Sequence, residues 1–324
     1  MADSVACLQS GKLVLIQVGC EPSELESPYA ERVKTARVVG VTRGRVSGEL
    51  CYAISTGAVS GVFAQKPGTR DEHRLFHSAH VELAEIDFSF ADEAFSCTID
   101  GKGGTSAIGV LADDGKGVRT VTEGDVLDRG PRWMPGGAGE IVYASAGIGR
   151  TRAGARAGRA PFSLHRLRMN DGTVEVLVSD AKYDYLAPVP VSDSLIYAIR
   201  RRYEEAKAKT SVLGALTGLL RKRGNAQQKA ADAKQMMIWG SSVELVRDAE
   251  GDARAAEPSA DYELVRITPK GSEVVAQGVL AFDVAPNGDV VYSNGRALYR
   301  LASGKNRQRE LMANVARGEQ VVIC

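Results

Sequence analysis

Short runs of alternating apolar and polar residues recur along the chain, separated by turn-forming pairs. Residues 106–112 lead through Asp114-Gly115 into 118–122. Residues 164–169 lead through Asp171-Gly172 into 173–178. Residues 262–267 turn at Lys270-Gly271 into 272–276, and 297–301 turn at Ser303-Gly304 into 307–311. A glycine-containing pair between alternating segments favours the left-handed turn that joins two antiparallel strands, so each of these predicts a β-hairpin.

A second grammar precedes these hairpins. Pro131-Arg132-Trp133-Met134-Pro135-Gly136-Gly137 runs into Glu140-Ile141-Val142-Tyr143. Pro188-Val189-Pro190-Val191-Ser192-Asp193 runs into Leu195-Ile196-Tyr197. Phe282-Asp283-Val284-Ala285-Pro286-Asn287-Gly288 runs into Asp289-Val290-Val291-Tyr292, and Ile86-Asp87-Phe88-Ser89 begins a fainter copy. Each is a strand, a tight turn and a second strand carrying an aromatic residue near its end. Two consecutive hairpins make a four-stranded meander, the unit of a β-propeller.

The repeat resembles the TolB-like and WD-type propeller motif, whose core reads roughly P-x-W-S-P-D-G-x-x-I-x-Y, over about residues 85–310. The resemblance implies an all-β propeller fold and no particular activity. Blades are expected near 41–78, 85–123, 130–179, 186–277 and 280–312. Residues 320–323, 12–18 and 32–39 are left to complete a sixth blade from both chain ends, which would leave no open sheet edge. Five blades with a loose N-terminal strand pair are the alternative. The whole chain, 1–324, is read as one domain.

Residues 203–258 interrupt the pattern as an insertion. Its first part, 203–236, carries helical periodicity, with Val212, Leu213, Leu216, Leu219 and Leu220 on one face, ahead of Arg221, Lys222 and Arg223. The stretch 248–260 is rich in acidic and small residues and is expected to be a mobile loop.

Charge changes the picture more than composition does. The chain is +1 overall, yet residues 150–236 contain 17 Lys and Arg against 8 Asp and Glu, a net +9 that leaves −8 elsewhere. Arg150, Arg152, Arg156 and Arg159 fall in the connection between the second and third strands of one blade. Arg200, Arg201 and Arg202 begin the equivalent connection of the next, which also holds the 221–223 cluster. Equivalent connections emerge on one face, so a basic surface is expected there. It suits a protein partner, acidic in character. A peripheral membrane contact through 211–223 is the alternative, and nucleic acid is not expected, because no base-stacking aromatics accompany these arginines.

No catalytic constellation stands out. His73, His77 and His80 lack a carboxylate pattern to complete a metal site, and the glycines at 101–104 and 147–149 lack phosphate-loop spacing. No GxSxG elbow occurs. No cofactor, metal or catalytic residue is therefore expected. Five cysteines without CxxC spacing read as reduced thiols. The N-terminal residues lack a basic, apolar leader, which departs from periplasmic TolB proteins and leads to the expectation of a cytoplasmic protein. The expected role is a non-enzymatic scaffold or regulatory subunit. The alternative is a propeller-type hydrolase or lyase using inner-strand groups such as Asp87, Arg132 and Asp283.

Overall fold

The structure, a computed structural model, describes residues 4–112, 114–152, 154, 156–204, 245–247, 253–255, 261–304, 308–315 and 318–324. It is all-β. Strands β1 (Ser4–Gln9), β2 (Lys12–Gln17) and β3 (Ser23–Leu25) are followed by the short helix α1 (Pro28–Arg32). Strands β4 (Arg37–Arg43), β5 (Leu50–Ser55), β6 (Ser60–Gln65) and β7 (Glu72–Ser78) form a four-stranded meander. Next come β8 (Leu83–Ser89), β9 (Ala94–Asp100), β10 (Ser106–Ala112) and β11 (Val118–Thr120), then β12 (Val126–Trp133), β13 (Glu140–Arg150), β14 (Arg156–Arg159), β15 (Ser163–Arg168) and β16 (Val174–Val178).

These two groups, expected as separate sheets, are joined. A parallel bridge between Ser106 and Leu127 links β10 to β12, giving one nine-stranded sheet that curls into a half-barrel. Strands β17 (Tyr183–Ser192) and β18 (Leu195–Arg202) precede the short hairpin of β19 (Leu245–Arg247) and β20 (Ala253–Ala255). Strands β21 (Glu263–Thr268) and β22 (Gly271–Gln277) then complete a sheet with β17 and β18. The β19–β20 pairing falls partly where an irregular loop was expected. The helix expected within 203–236 lies outside the described residues. Strands β23 (Ala281–Val284), β24 (Val290–Ser293), β25 (Ala297–Leu301) and β26 (Arg309–Asn314) make another meander. The last strand, β27 (Gly318–Ile323), pairs with β1.

The sheet built from both chain ends therefore differs from the expected one. It contains β27, β1, β2 and β3, whereas residues 32–39 supply the end of α1 and the start of β4. The blade expected from residue 41 begins at Arg37 instead. Ser4–Gln9 carries the pairing: five of its residues, from Val5 opposite Ile323 to Gln9 opposite Gly318, face the C-terminal strand, with a register shift between Leu8 and Gln9.

Burial follows each strand's place in its sheet. Strands β5 and β6 are buried at every position because both faces are covered, whereas the outermost strands β16 and β22 expose most of theirs. The core is divided into clusters shared by neighbouring sheets. Leu8 and Leu13 pack with Val38, Leu50 and Tyr52. Val142 and Leu164 pack with Leu186 and Ile196, and Val5 and Cys7 with Val291 and Leu298. The repeated second-strand aromatics Tyr143, Tyr197 and Tyr292 are all buried in such clusters.

A basic face and a narrow central space

Six strands lie against one another in succession. β4 lies against β8, β8 against β12, β12 against β17, β17 against β23, β23 against β27, and β27 against β4. Five of these strands carry a register shift. It falls between Val38 and Gly40, between Ala84 and Asp87, between Arg129 and Arg132, between Leu186 and Val189, and opposite Leu8 and Gln9 in β27. An extra residue bends the strand and turns its neighbours inward. In three consecutive strands the extra residue is left-handed: Glu85 at φ 51°, Gly130 at 58° and Ala187 at 48°.

The bulges allow side chains of one inner strand to hold the backbone of the next. Glu85 accepts from the Gly130 N–H at 2.8 Å, and Asp87 accepts from the Trp133 N–H at 2.9 Å. Asp283 accepts from the Ile323 N–H at 2.9 Å, and Thr42 from the Phe88 N–H at 3.2 Å. Backbone groups at an inner edge need partners once water is excluded, and these side chains provide them. Gly40 belongs to the same junction: a Cβ there would lie 2.9 Å from the backbone nitrogens of Glu85 and Ile86.

The innermost strands surround a space of about 100 Å³, lined by Val39, Glu85, Arg132, Val189, Phe282 and Gln320 among others. Arg132 pairs with Asp87 at 3.2 Å. Burial works against its charge, but Asp87, Asp283 and Glu85 outweigh burial and hold the guanidinium above its ordinary range. Of the three inner-strand candidates, Arg132 lines this space, while Asp87 and Asp283, close enough to act on its charge, lie outside the lining and accept from backbone N–H groups.

Of the residues expected on a basic face, Arg150, Arg159, Arg200 and Arg201 lie at the end of the meanders where β12 and β17 begin. β13 overruns its sheet and folds back through β14, forming an arginine-bearing hairpin between the second and third main strands. Arg150 donates through Nε to Asp125 at 2.7 Å, and its Nη2 also bonds to the same carboxylate. Arg159 forks onto Asp184 through two bonds of 2.7 Å. Arg201 joins Asp184 at 3.2 Å and also donates to the Tyr262 hydroxyl at 2.9 Å. Arg200 pairs with Glu263 at 2.7 Å and stacks on Tyr183. Arg159 lies over both Phe162 and Tyr203. Arg152, Arg156 and Arg202 are exposed. Val212, Leu213, Leu216, Leu219, Leu220, Arg221, Lys222 and Arg223 lie outside the described residues.

Four of the expected partner-contacting arginines are thus anchored by acids of their own chain. Sequence reading missed Asp125 and Asp184. Asp125 and Asp184 sit in or beside the first strands, 25 residues from Arg150 and Arg159 respectively, so no local motif links them. Asp184 is 1% exposed and also accepts from the Phe162 N–H at 2.8 Å. Elsewhere, Glu72 is the first residue of β7. It receives hydrogen bonds from the Tyr52 and Ser27 hydroxyls, both at 2.6 Å, and from the Tyr29 N–H at 2.9 Å. His73 makes an exposed pair with Asp71.

The fold is that of the TolB-like β-propellers. TolB from Acinetobacter baumannii superposes with a TM-score of 0.60 at 12% identity, over 99% of this chain and 66% of that one. A chain of a nidogen/laminin complex gives 0.56 at 9% identity, covering 98% and 97%. A puromycin-hydrolysing peptidase from Mycobacterium tuberculosis gives 0.52 at 12% identity, over 99% of this chain and 49% of that one. At such identities the agreement concerns the fold alone, and that fold serves interaction proteins and enzymes alike. No protein-family model matches the chain, and no curated protein matches it in sequence. Among the described residues no helix is long and apolar enough to cross a membrane.

Proposed function

We propose that this chain is a six-bladed propeller, closed by both termini in one blade, that acts in the cytoplasm as a non-enzymatic scaffold or regulatory subunit. Six blades are supported by the six innermost strands and by the β27–β1 pairing. The interaction surface is the arginine-rich face around the β13–β14 hairpin and the end of β18, and its partner is an acidic protein. The observation that carries this reading is the set of anchored arginines. Arg159, Arg200 and Arg201 are held by carboxylates and aromatic rings, so the face meets a partner with little side-chain entropy left to lose. Arginine and tyrosine are also the residues most enriched at interface centres.

The hydrolase or lyase alternative places its site in the central space. A volume of about 100 Å³ is below the roughly 300–1,000 Å³ of small-molecule sites. Glu85, which lines the space, and Asp87 and Asp283 beside it are also engaged by backbone N–H groups, which favours the interaction reading.

The test is an affinity isolation with three forms of the full chain: wild type, a deletion of 203–236, and Arg152→Glu/Arg202→Glu. Circular dichroism serves as the folding control. A defined partner recovered with wild type and lost or weakened with both variants is expected. The same partners at the same yield from all three would reject the face.

A further inference from the structure

A cleft between two neighbouring sheets holds an arginine that the protein leaves largely unused. Tyr197, Arg266 and Glu273 stand abreast across β18, β21 and β22. Beside them, β24 and β25 set Val290 opposite Leu301. Tyr197, Val290 and Leu301 share one core cluster, with Leu195 and Val275 packed against it. All these residues line an open cleft of about 740 Å³, within the roughly 300–1,000 Å³ of small-molecule sites. Leu195 begins β18, so the cleft lies at the opposite end of that strand from Arg200, Arg201 and Arg202.

The preceding sheet shows such an arginine–glutamate pair closed. There Arg166 stands opposite Glu175 and donates to it through Nε at 3.1 Å and Nη2 at 2.6 Å. Arg266 stands opposite Glu273 in the same way, yet its Nη1 is 3.9 Å from the carboxylate, too far for a hydrogen bond. Its Nε is buried without an acceptor. The side chains of Arg266 and Glu273 are 40% and 64% exposed. A cation and an anion thus line the cleft side by side, open to a ligand, with apolar walls around them.

We propose that this cleft binds a dipeptide with apolar side chains and free termini, Arg266 taking its carboxylate and Glu273 its ammonium. Each protein charge then meets its opposite at hydrogen-bond distance, which the pair itself does not reach, and charge-assisted bonds are the stronger kind. The ligand is neutral overall, like the pair that receives it. A simple fatty acid would satisfy Arg266 but set its carboxylate beside that of Glu273. Leu195, Tyr197 and Val275 form one wall and Val290 and Leu301 the other, so two walls receive two side chains. The proposal goes beyond the interaction reading above and shares no residue with the arginine face.

The experiment is a ligand-observed NMR titration of the full chain with Leu-Phe, N-acetyl-Leu-Phe, Leu-Phe amide and Gly-Gly, with circular dichroism as the folding control. Leu-Phe is expected to bind, and each capped form to bind about tenfold more weakly, as for loss of one charge-assisted bond. Gly-Gly, which brings no apolar side chains, is expected to give no saturation. Arg266→Gln is expected to weaken Leu-Phe about tenfold and to leave Leu-Phe amide unchanged. Glu273→Gln is expected to weaken Leu-Phe similarly and to leave N-acetyl-Leu-Phe unchanged. Arg74→Gln, removing an exposed arginine of β7, is expected to bind like wild type. The site is overturned by no binding of Leu-Phe, by equal binding of Leu-Phe and its capped forms or Gly-Gly, or by equal losses in Arg266→Gln and Arg74→Gln. None of these results bears on partner capture by the arginine face, so the two readings fail separately.

Discussion

Gln320 and Val41, 279 residues apart, exchange two hydrogen bonds: the Val41 N–H donates to Gln320 Oε1 at 3.1 Å, and Gln320 Nε2 donates to the Val41 carbonyl at 2.9 Å. One side-chain amide thus substitutes for a strand partner between the last strand and β4. Gln320→Leu keeps the apolar stem but leaves the buried Val41 groups unsatisfied. Urea unfolding is expected to show a loss on the order of 2 kcal/mol, with the midpoint lowered and the slope unchanged. An unchanged midpoint would show that water replaces the amide without loss.

Asp184 is the acid on which Arg159 and Arg201 converge. Asp184→Ala strands both guanidinium groups in a largely buried position. It is expected to cost about 3–5 kcal/mol and to disorder the β13–β14 hairpin, which hydrogen exchange at 148–162 would detect. Wild-type protection in that segment would mean that the hairpin is held by other contacts.

Burial pushes the Cys7 and Cys97 thiols up to about 12, with the charge of Glu319 adding to the effect at Cys7. The unfolded thiols ionise near 9, so below pH 8 both states are protonated and neither thiol affects stability. Between pH 9 and 12 the unfolded chain sheds these protons first. Stability is then expected to fall by up to about 1.4 kcal/mol per pH unit for each thiol. Denaturation series at pH 8, 9.5 and 10.5 check this, and Cys97→Ala should flatten the slope. With a thiol reagent at pH 8, exposed Cys20 should react first. Buried Cys7, Cys51 and Cys97 should react only on unfolding.

Ala187 adopts φ 48° at the bulge where the preceding inner strand has Gly130. Its side chain is exposed, so little packing is at stake. Ala187→Gly is expected to be neutral or stabilising by up to about 1 kcal/mol, because relief of the left-handed strain outweighs the added unfolded-chain entropy. Gly130→Ala meets no atom closer than 3.7 Å, so its expected loss of about 1–2 kcal/mol comes from φ alone. Thermal unfolding of the pair tests the sign of each.

The hairpins were legible because their causes are local. Asp171-Gly172 makes a turn through Gly172 at φ 72° and a hydrogen bond from the Thr173 N–H to the Asp171 side chain. Everything that turn needs lies within a few residues. The arginine face was legible only as charge. Which arginines are anchored depended on Asp125 and Asp184, which come near only when β12 and β17 stand beside the neighbouring connections.

The sequence by itself determined the meanders, their turn positions and the concentration of positive charge, since periodicity, turn chemistry and composition act at short range. Tertiary structure decided that Ser4–Gln9 rather than 32–39 accompanies the C-terminal strand and that β10 and β12 join two meanders into one sheet. It also decided that Arg150 and Arg159 are fixed while Arg156 is exposed. Those outcomes depend on which distant strands share an edge, and short-range preferences leave that choice open until the sheets pack.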